Sequence, residues 1–599
     1  MPTFVPPVRD MQFVIEEIGA LDRIAALPGH GEATRDLVAA VLEEAGRFGA
    51  GELAPLNPVG DRQGCRLEAG KVRLPDGFAA AYAKFVEGGW NAVAFDPEFG
   101  GQGLPWLVAT AVQEVWHAAN MAFGLIPMLT QGAVELLSLH GDPDQKALLL
   151  PKLVSGEWTG TMNLTEPGAG SDLGALRTRA VKDGDHYRIT GQKIFITAGE
   201  HDAAANIVHL VLARLPDAPP GPKGISLFVV PKFLVNADGS LGKRNDVTCL
   251  KLEHKLGIHG SPTCVMAFGE DEGAIGTLVG RENQGLALMF TMMNNARLAV
   301  GLQGVAVAER AAQKAVAYAR ERVQGVAPGR DAPGPILHHP DVRRMLMTQR
   351  ALTEAGRALT YFTAAQLDLA RHAPDKAERA AAHALVDLLI PVVKGWATAN
   401  GVTVADLAVQ VFGGMGYVEE SGVAQHLRDA RIAPIYEGTN GIQAMDLIGR
   451  KLIRDQGAAM AALLAAIDAT LAELAELAAR PDDAELAPVR HGLAAGRAAL
   501  ADSVALILRE QAGDPAFAGA VATPFLDLTG VVTGGWMSAR MALAATRRLA
   551  EGAEDDAFLA AKRVTARFYA EQILPRAGGL AASVAAGAAS VTTLPADLF

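Results

Sequence analysis

The spacing of hydrophobic positions changes twice along the chain and divides it into helical and β-rich segments. Residues 35–158 carry apolar positions mostly at helical spacing, most clearly over residues 35–48 and 107–119. Between about residues 159 and 285 the apolar runs become short, β-branched and bounded by glycine or proline. From Gly285 the helical spacing returns and continues almost to the end. The pattern predicts a mostly α-helical protein with a central β-domain.

The same pattern places the predicted elements. The β-rich runs are short and separated by turn residues, and they comprise residues 187–190, 193–197, 207–213 and 225–230. Near the start, apolar residues at helical spacing predict one short amphipathic helix, marked by Phe13, Ile15, Ile18, Leu21 and Ile24.

At 599 residues the chain is too long to fold around a single hydrophobic core, since domains average about 150 residues. The pattern predicts five segments: an N-terminal extension (1–34), an N-terminal helical domain (35–158), a middle β-domain (159–285), a helical bundle (286–458) and an extra C-terminal helical domain (459–599).

Composition narrows the class of protein. The net charge of −12 argues against a general nucleic-acid binder. The N-terminus lacks the features of a secretory signal, and the one long uncharged run, residues 577–596, is too rich in alanine and glycine for a convincing membrane span. Three distant cysteines form no disulfide framework or metal cluster, which fits a reducing compartment. We therefore expect a cytoplasmic protein without a membrane span or a metal.

A turn before a predicted helix contains a candidate base. In residues 433–443 (APIYEGTNGIQ), Asn440 is a predicted helix cap with Gln443 as its reciprocal partner. Glu437 falls just outside that helix between bulky neighbours. A partly desolvated carboxylate there would have a raised pKa and be a stronger base. From these residues alone, an ordinary loop glutamate remains the simpler interpretation.

Three further segments suggest ligand contacts only weakly. In residues 164–172 (LTEPGAGSD), glycines flank an alanine, which suits either backbone amides approaching a phosphate or simply a tight loop. Residues 410–417 (QVFGGMGY) suit a helix end at Gly413 or a glycine-lined surface, but no strand precedes them, which excludes a Rossmann motif. The arginines of residues 318–325 (YARERVQG) suit a solvated helix face.

In this order and spacing, together with residues 427–432 (LRDARI) and the sequence YEGT at 436–439, the segments resemble the acyl-CoA dehydrogenases over roughly residues 80–455. The segments PVRDMQF (7–13), TMNLTEP (161–167) and HKLGIHGSPTC (254–264) resemble a longer bacterial subgroup that has an extra C-terminal helical domain. That subgroup includes dehydrogenases of 3-(methylthio)propionyl-CoA.

The resemblance implies oxidation of an acyl-CoA thioester to a trans-2-enoyl-CoA. Glu437 would remove a proton from Cα while a hydride leaves Cβ for FAD. Its backbone amide would help to bind the thioester oxygen, with Tyr436 and Gly438 beside the substrate. The resemblance leaves two possibilities for the acyl group, a methylthio-substituted chain and a short or medium straight chain.

The resemblance also implies an FAD site and a CoA site. The implied FAD contacts are Met162, Leu164, Thr165, Gly170, Ser171, Phe195, Thr197, Arg322, Gln410, Gly413, Gly414, Thr439 and Gly441. Ser171, Asn294 and Arg297 are implied CoA contacts. The sequence departs from the family at Phe195, where many members have tryptophan, at Asn294, where aspartate is common, at Gly441, where some have glutamine, and after Gln324, where an insertion follows.

The resemblance further implies partners. Because the segment at 410–414 reaches FAD of a neighbouring subunit in the family, we expect a homodimer or homotetramer. An electron-transfer flavoprotein is the expected electron acceptor. Two alternatives are an acyl-CoA oxidase that uses oxygen and a non-catalytic flavin protein that associates with DNA; the last 140 or so residues are not strongly basic, which disfavours the second.

Overall fold

The computed structural model describes residues 4–552 and 556–599, which divide into two compact units. Unit 1 comprises Met1–Glu44, Pro105–Glu114 and Val300–Phe599, and unit 2 comprises Ala45–Leu104 and Val115–Ala299. Helices account for 62% of the chain, and the expectation of a mostly α-helical protein with a central β-domain is confirmed. The bounds of the five predicted segments stay predictions.

The first helices precede the central sheet. They are α1 (Val8–Glu17), α2 (Leu21–Ala25), α3 (Arg35–Phe48), α4 (Asn57–Gln63), α5 (Phe78–Glu87), α6 (Trp106–Ala119), α7 (Met121–His140) and α8 (Pro143–Ser155). The prediction of one amphipathic helix near the start is wrong, because Ala20 adopts φ 54° and separates α1 from α2. Gly19 lies so close to Leu107 that an added Cβ would be 2.7 Å from its side chain, so the chain turns there to pack.

The strands of unit 2 form one large sheet and two small hairpins. They are β1 (Arg66–Glu68), β2 (Lys71–Arg73), β3 (Trp158–Asn163), β4 (Arg179–Asp183), β5 (His186–Thr197), β6 (Asn206–Arg214), β7 (Ile225–Pro231), β8 (Phe233–Val235), β9 (Leu241–Arg244), β10 (Val247–Leu252), β11 (Thr263–Phe268) and β12 (Ala274–Leu278). The large sheet has the order β10-β11-β5-β12-β7-β6-β3, and β4 pairs with β5 and β6. β3 runs parallel to β6, and β1–β2 and β8–β9 form the hairpins.

Strand β5 joins two runs that the sequence pattern separated. The predicted break between the runs 187–190 and 193–197, which contains Gly191, is wrong, because residues 186–197 form one strand through it. Its first half pairs with β4 and β12, while its second half pairs with β11. A Cβ at Gly191 would lie 2.5 Å from Thr178 Oγ1 and 2.8 Å from Thr178 Cα, so glycine permits a close approach of backbone rather than a break. The buried face of this sheet includes Ile189, Val211 and Phe228.

The remaining helices follow the sheet. They are α9 (Gly285–Glu321), α10 (Pro340–His372), α11 (Lys376–Val392), α12 (Thr398–Phe412), α13 (Ala424–Ala430), α14 (Asn440–Asp446), α15 (Ala458–Ala478), α16 (Ala487–Glu510), α17 (Phe517–Ala550), α18 (Asp556–Phe568), α19 (Arg576–Ala585) and α20 (Ala589–Thr592). A π-helical turn, Val393–Ala397, connects α11 to α12, and another, Leu447–Ile453, follows α14.

By length and composition alone, five helical segments of the described chain could cross a membrane. They do not include the run at 577–596 that stood out in the sequence. The apolar window of α7 is 89% buried within the protein, as is typical of a core helix, whereas the windows in residues 458–478 and 484–510 are 33% buried. The expected absence of a membrane span therefore remains a prediction.

A buried network of charged side chains joins five helices of unit 1. On α10, the guanidinium of Arg357 pairs with Glu114 of α6 at 2.6 Å, with Glu309 of α9 at 2.8 Å and with Asp10 of α1. Lys562 of α18 also pairs with Asp10. Burial would raise the pKa of Asp10, but Lys562 and Arg357 outweigh it and lower that pKa to about 2. The N-terminal extension, the bundle and the C-terminal helices thus share one electrostatic centre.

Replacing Arg357 tests this network. Arg357→Gln leaves buried carboxylates without their shared cation, so we expect the free energy of unfolding to fall by about 3–5 kcal/mol. Arg343→Gln, an exposed position on the same helix, serves as the matched control. Equal midpoints of chemical unfolding for the two variants would contradict the stabilising role.

Candidate active site

In unit 2, the glycine-containing loop 164–172 leaves β3 and turns back on itself. Glu166 and Ala169 exchange backbone hydrogen bonds of 3.1 and 3.0 Å, which closes a tight turn. Gly168 and Gly170 are exposed, and a Cβ added at either would meet nothing within 4 Å. Ser171 is also exposed beside them. The loop therefore agrees with both interpretations of its sequence. It is a tight loop, and its glycines leave backbone open to a ligand.

An ion pair that sequence reasoning missed fixes this loop to the sheet. The buried ammonium of Lys193 on β5 lies 2.7 Å from the Glu166 carboxylate and donates to the Leu164 carbonyl at 3.0 Å. The same carboxylate accepts from the backbone amides of Arg177, at 2.6 Å, and Thr178, at 3.0 Å. Burial would raise the pKa of Glu166, but Lys193 and these hydrogen bonds outweigh it and lower that pKa.

The flavin-contact residues predicted on β5 lie next to this loop. The amide of Ile194 donates to the Thr165 carbonyl at 2.9 Å, which connects the loop to the strand. Phe195 follows at an irregularity in the β5–β11 register and adopts φ 60°. Its side chain is 60% exposed, which is unusual for phenylalanine and leaves a ring face free to pack on a flat ligand.

The other predicted contacts of unit 2 vary in exposure. Leu164 is buried, and Met162 and Thr197 are half-buried. On α9, Arg297 is buried and donates to the Asn294 side chain at 3.3 Å. The asparagine that replaces the family's aspartate therefore still contacts the predicted CoA-binding arginine.

In unit 1, Glu437 occupies a strained backbone conformation. It adopts φ 57°, and Gly438 follows with φ 84°. A left-handed conformation is costly for a glutamate and is enriched at functional sites. The following helix α14 is capped by Thr439, whose hydroxyl accepts from the Ile442 amide at 3.2 Å.

The predicted cap at Asn440 is therefore wrong, and so is the reciprocal role of Gln443. The Gln443 side chain instead donates to the carbonyls of Glu437 and Gly438, each at 3.2 Å. Asn440 points away from the cap position and donates to the Gly395 carbonyl at 2.9 Å. Both side chains thus hold the turn rather than the helix end.

A second buried lysine, which the sequence reasoning also missed, anchors this turn. Lys394 lies in the π-helical turn between α11 and α12 and is fully buried. Its ammonium donates to the Gly438 carbonyl at 2.7 Å and to the Asn440 side chain at 3.0 Å. The one signal in the sequence is a lysine inside the apolar run LLIPVVKGW (388–396), a position that requires polar partners.

Tyr436 is positioned through its hydroxyl, which donates to Gln303 on α9. Burial raises the pKa of the Tyr436 phenol, and the nearby Glu437 carboxylate raises it further. The phenol therefore stays neutral beside Glu437. Thr439 and Gly441, at the start of α14, are exposed.

Unit 1 also brings together the ends of α9 and α12. The rings of Tyr318 and Phe412 stack with centroids 4.1 Å apart and 13° between planes. Exposed Arg322 follows one helix, and exposed Gln410 lies on the last turn of the other. Gly413 ends α12 with φ 61°, as the sequence pattern predicted for a helix C-cap. A Cβ at Gly413 or Gly414 would meet nothing within 4 Å, so this end of α12 presents open backbone.

Four family models match consecutive parts of the chain. They describe the N-terminal domain (37–157), the middle domain (161–270) and the C-terminal domain (283–453) of acyl-CoA dehydrogenase, followed by an acetyl-CoA dehydrogenase C-terminal-like domain (460–595). The chain is 50% identical to 3-methylmercaptopropionyl-CoA dehydrogenase of Ruegeria pomeroyi over 96% of both chains. The chain belongs to the acyl-CoA dehydrogenase family.

Two solved structures have the same fold. Caenorhabditis elegans ACDH-11 in complex with C11-CoA has a TM-score of 0.75, with 22% identity over 96% of this chain and 92% of that one. The acyl-CoA dehydrogenase of Bacillus anthracis complexed with FAD has a TM-score of 0.71, with 20% identity over 92% of this chain and 88% of that one. At these sequence identities the similarity supports a shared fold and nothing further.

As an acyl-CoA dehydrogenase, the protein is an FAD-dependent oxidoreductase. The observed residues fit this cofactor, because the loop 164–172 leaves open backbone amides and Phe195 offers an exposed ring. Lys193 and Lys394 are both fully buried, and each donates to a backbone carbonyl of its segment, Lys193 to Leu164 and Lys394 to Gly438. Spacing rules did not find them because their role depends on tertiary contacts.

Lys193 should control how well the protein retains FAD. In Lys193→Met, the buried Glu166 loses its cation and the loop its link to Leu164, so we expect the FAD content of the purified protein to fall at least about fivefold, as a loss of about 1 kcal/mol implies. Lys182→Met, at an exposed position on β4, is the control. Full FAD content in Lys193→Met, by absorbance after gel filtration, would contradict this role.

Lys394 should affect turnover more than cofactor content. In Lys394→Met the Gly438 carbonyl and Asn440 lose their shared donor, so the Glu437 turn relaxes and we expect kcat to fall at least about tenfold, which corresponds to about 1.4 kcal/mol. KM and FAD content should change little. Lys376→Met, an exposed change at the start of α11, is the control. A normal kcat would mean that the turn needs no anchor.

Proposed function

We propose that this acyl-CoA dehydrogenase oxidises 3-(methylthio)propionyl-CoA, with Glu437 as the catalytic base. The substrate assignment is supported by 50% identity over nearly the whole length to a protein with that activity in its name. The base assignment is supported by the turn at Glu437 and Gly438, both at positive φ and held by Lys394 and Gln443. A short or medium straight-chain acyl-CoA is the competing substrate.

The chemistry requires both a base and a stabilised enolate. The α-proton beside a thioester is weakly acidic, so charge that develops on the thioester oxygen must be met by hydrogen-bond donors. Glu437 supplies the carboxylate that takes the proton, and its own backbone amide is a donor for the oxygen. Because Gly438 has no side chain, the substrate can approach that amide closely.

FAD, when bound, supplies the acceptor for the hydride that leaves Cβ. We assign its contacts in unit 2 to Thr165, Gly170, Ser171, Phe195 and Thr197, where the loop and strand are joined. In unit 1 we assign contacts to Arg322 and Gln410 and to glycines 413 and 414, which are exposed at the ends of α9 and α12. We assign CoA binding to Ser171, Asn294 and Arg297.

We further propose that the protein is a cytoplasmic homodimer or homotetramer that gives its electrons to an electron-transfer flavoprotein. The exposed end of α12 supports the oligomer, because Met415 and Tyr417 beside the glycines are 48% and 91% exposed. Exposed aromatic and aliphatic side chains next to open backbone are typical of a surface that another subunit covers.

Glu437→Gln tests the base. The amide has nearly the same shape but accepts no proton, so we expect the purified variant to keep its FAD while turnover falls at least about a thousandfold, a loss of about 4 kcal/mol of transition-state stabilisation. Turnover is measured with an artificial electron acceptor. Glu98→Gln, an exposed position far away in sequence, is the control. Turnover within tenfold of the native protein would show that another group removes the proton.

Competition between substrates tests the acyl group. The ratio of kcat/KM values for 3-(methylthio)propionyl-CoA and hexanoyl-CoA, measured in one mixture, compares transition-state binding directly. We expect kcat/KM to be at least about tenfold higher for the methylthio substrate than for hexanoyl-CoA. A higher kcat/KM for hexanoyl-CoA would contradict the proposed substrate but would still agree with acyl-CoA dehydrogenation. Rapid oxygen consumption without an added acceptor would instead support the oxidase alternative.

A further inference from the structure

Unit 1 contains a cavity of about 470 Å³, and its lining includes none of the residues assigned above to FAD binding, CoA binding or catalysis. It lies along the second half of α9 and is bordered by α10, by the chain before α1 and by Phe558 of α18. Its lining positions on α9 centre on residues 313, 317 and 320. Arg322, the predicted FAD contact, follows the end of α9 and is not one of the residues that line this cavity.

The N-terminal extension forms one wall through specific contacts. The backbone amide of Val5 donates to the Gln313 side chain at 3.2 Å, and that side chain donates back to the Val5 carbonyl at 2.7 Å. The ring of Phe4 is buried beneath Arg310, with its centroid 5.0 Å from the guanidinium carbon. The wall is thus held in place by α9 itself.

The acidic side chains that line the cavity are already neutralised. Asp10 pairs with Arg357 and Lys562, and Glu309 pairs with Arg357 at 2.8 Å. Glu354 pairs with Arg350 at 2.8 Å. These carboxylates belong to the charge network that joins the helices, so they offer little attraction to a cation in the cavity.

Two basic side chains on the same lining lack such partners. The Nε of Arg310 is buried and has no hydrogen-bond acceptor among the described residues. Lys314, one turn further along α9, donates to the Ser421 carbonyl at 3.2 Å, and within the described chain no carboxylate pairs with either residue. Burial lowers the pKa of Arg310 to about 10 and that of Lys314 to about 8, and Arg310 lowers the latter further. Desolvated cations without an anion are costly, and a bound anion relieves that cost.

The remaining lining combines apolar side chains with Gln313, Thr353 and the exposed Arg320. Its apolar members include Pro7, Val316, Ala317 and Leu346. The volume falls within the range of about 300–1,000 Å³ that is typical of small-molecule sites. A ligand that fits these surroundings combines an anionic end with an apolar body.

We propose that this cavity binds a small amphiphilic anion, with Arg310 and Lys314 holding a carboxylate or phosphate end and the aliphatic lining holding an apolar body. The site is independent of the proposed substrate and of the reaction. The N-terminal residues 4–7 complete it, so ligand binding and the docking of the extension on α9 favour each other.

Calorimetric titration of the FAD-loaded protein with decanoate and decyl phosphate tests the proposal. We expect one molecule of at least one probe to bind per chain, and the tighter probe identifies the anionic group. Decanol, which keeps the apolar body and lacks the charge, should bind at least about tenfold more weakly, because it cannot make charged hydrogen bonds to the two basic side chains. No binding of either anion, or equal binding of decanol, would overturn the proposal.

Two variants separate this cavity from the acyl site, which could also take up a fatty chain. The double change Arg310→Gln with Lys314→Gln removes both cations, while Ala317→Trp fills the space and keeps them. Each should weaken the anion at least about tenfold, whereas Arg343→Gln, outside the cavity, should not. FAD content and turnover should stay normal in all of these variants. Unchanged binding in both cavity variants would place the probes elsewhere and reject the site.

Discussion

The turn that carries Glu437 depends on the buried ammonium of Lys394. A lysine enclosed in an apolar segment must satisfy its three donors, and here it reaches the Gly438 carbonyl and the Asn440 side chain. Those bonds hold Glu437 at φ 57°, a conformation that costs about 1–3 kcal/mol for a residue other than glycine. These hydrogen bonds therefore offset both the cost of burying the Lys394 charge and the backbone strain at Glu437.

Unit 2 uses the same device at its ligand-facing loop. Lys193, also fully buried, pairs with Glu166 and fixes the segment whose glycines expose their backbone. In both units many of the residues expected to touch the flavin or substrate are glycines, exposed side chains or, like Glu437, strained. Such residues cannot hold their own positions, so buried ion pairs and hydrogen bonds behind them do so. The catalytic segments thus take part of their shape from two lysines, Lys193 and Lys394, that lie outside the quoted family motifs.

The sequence alone predicted the helices and the sheet because both follow from spacing. The sequence-based predictions were wrong where tertiary contacts decide between two local conformations that the sequence permits equally well. Thr439 and Asn440 are both good helix caps, and Thr439 takes that role only because Asn440 is drawn to Gly395 and Lys394. Gly191 reads as a strand end, yet it continues β5 because Thr178 packs against its Cα. No spacing rule shows that the chain around residues 4–7 covers Arg310 on α9.

The central claim is that the chain removes a proton and a hydride from an acyl thioester. Anaerobic titration of the purified yellow protein with a panel of acyl-CoAs tests it most directly, since reduction bleaches the flavin absorbance. The account predicts rapid, stoichiometric bleaching by 3-(methylthio)propionyl-CoA or by a short straight-chain acyl-CoA. A yellow protein that no acyl-CoA bleaches, or a colourless one that fails to take up FAD, would contradict it.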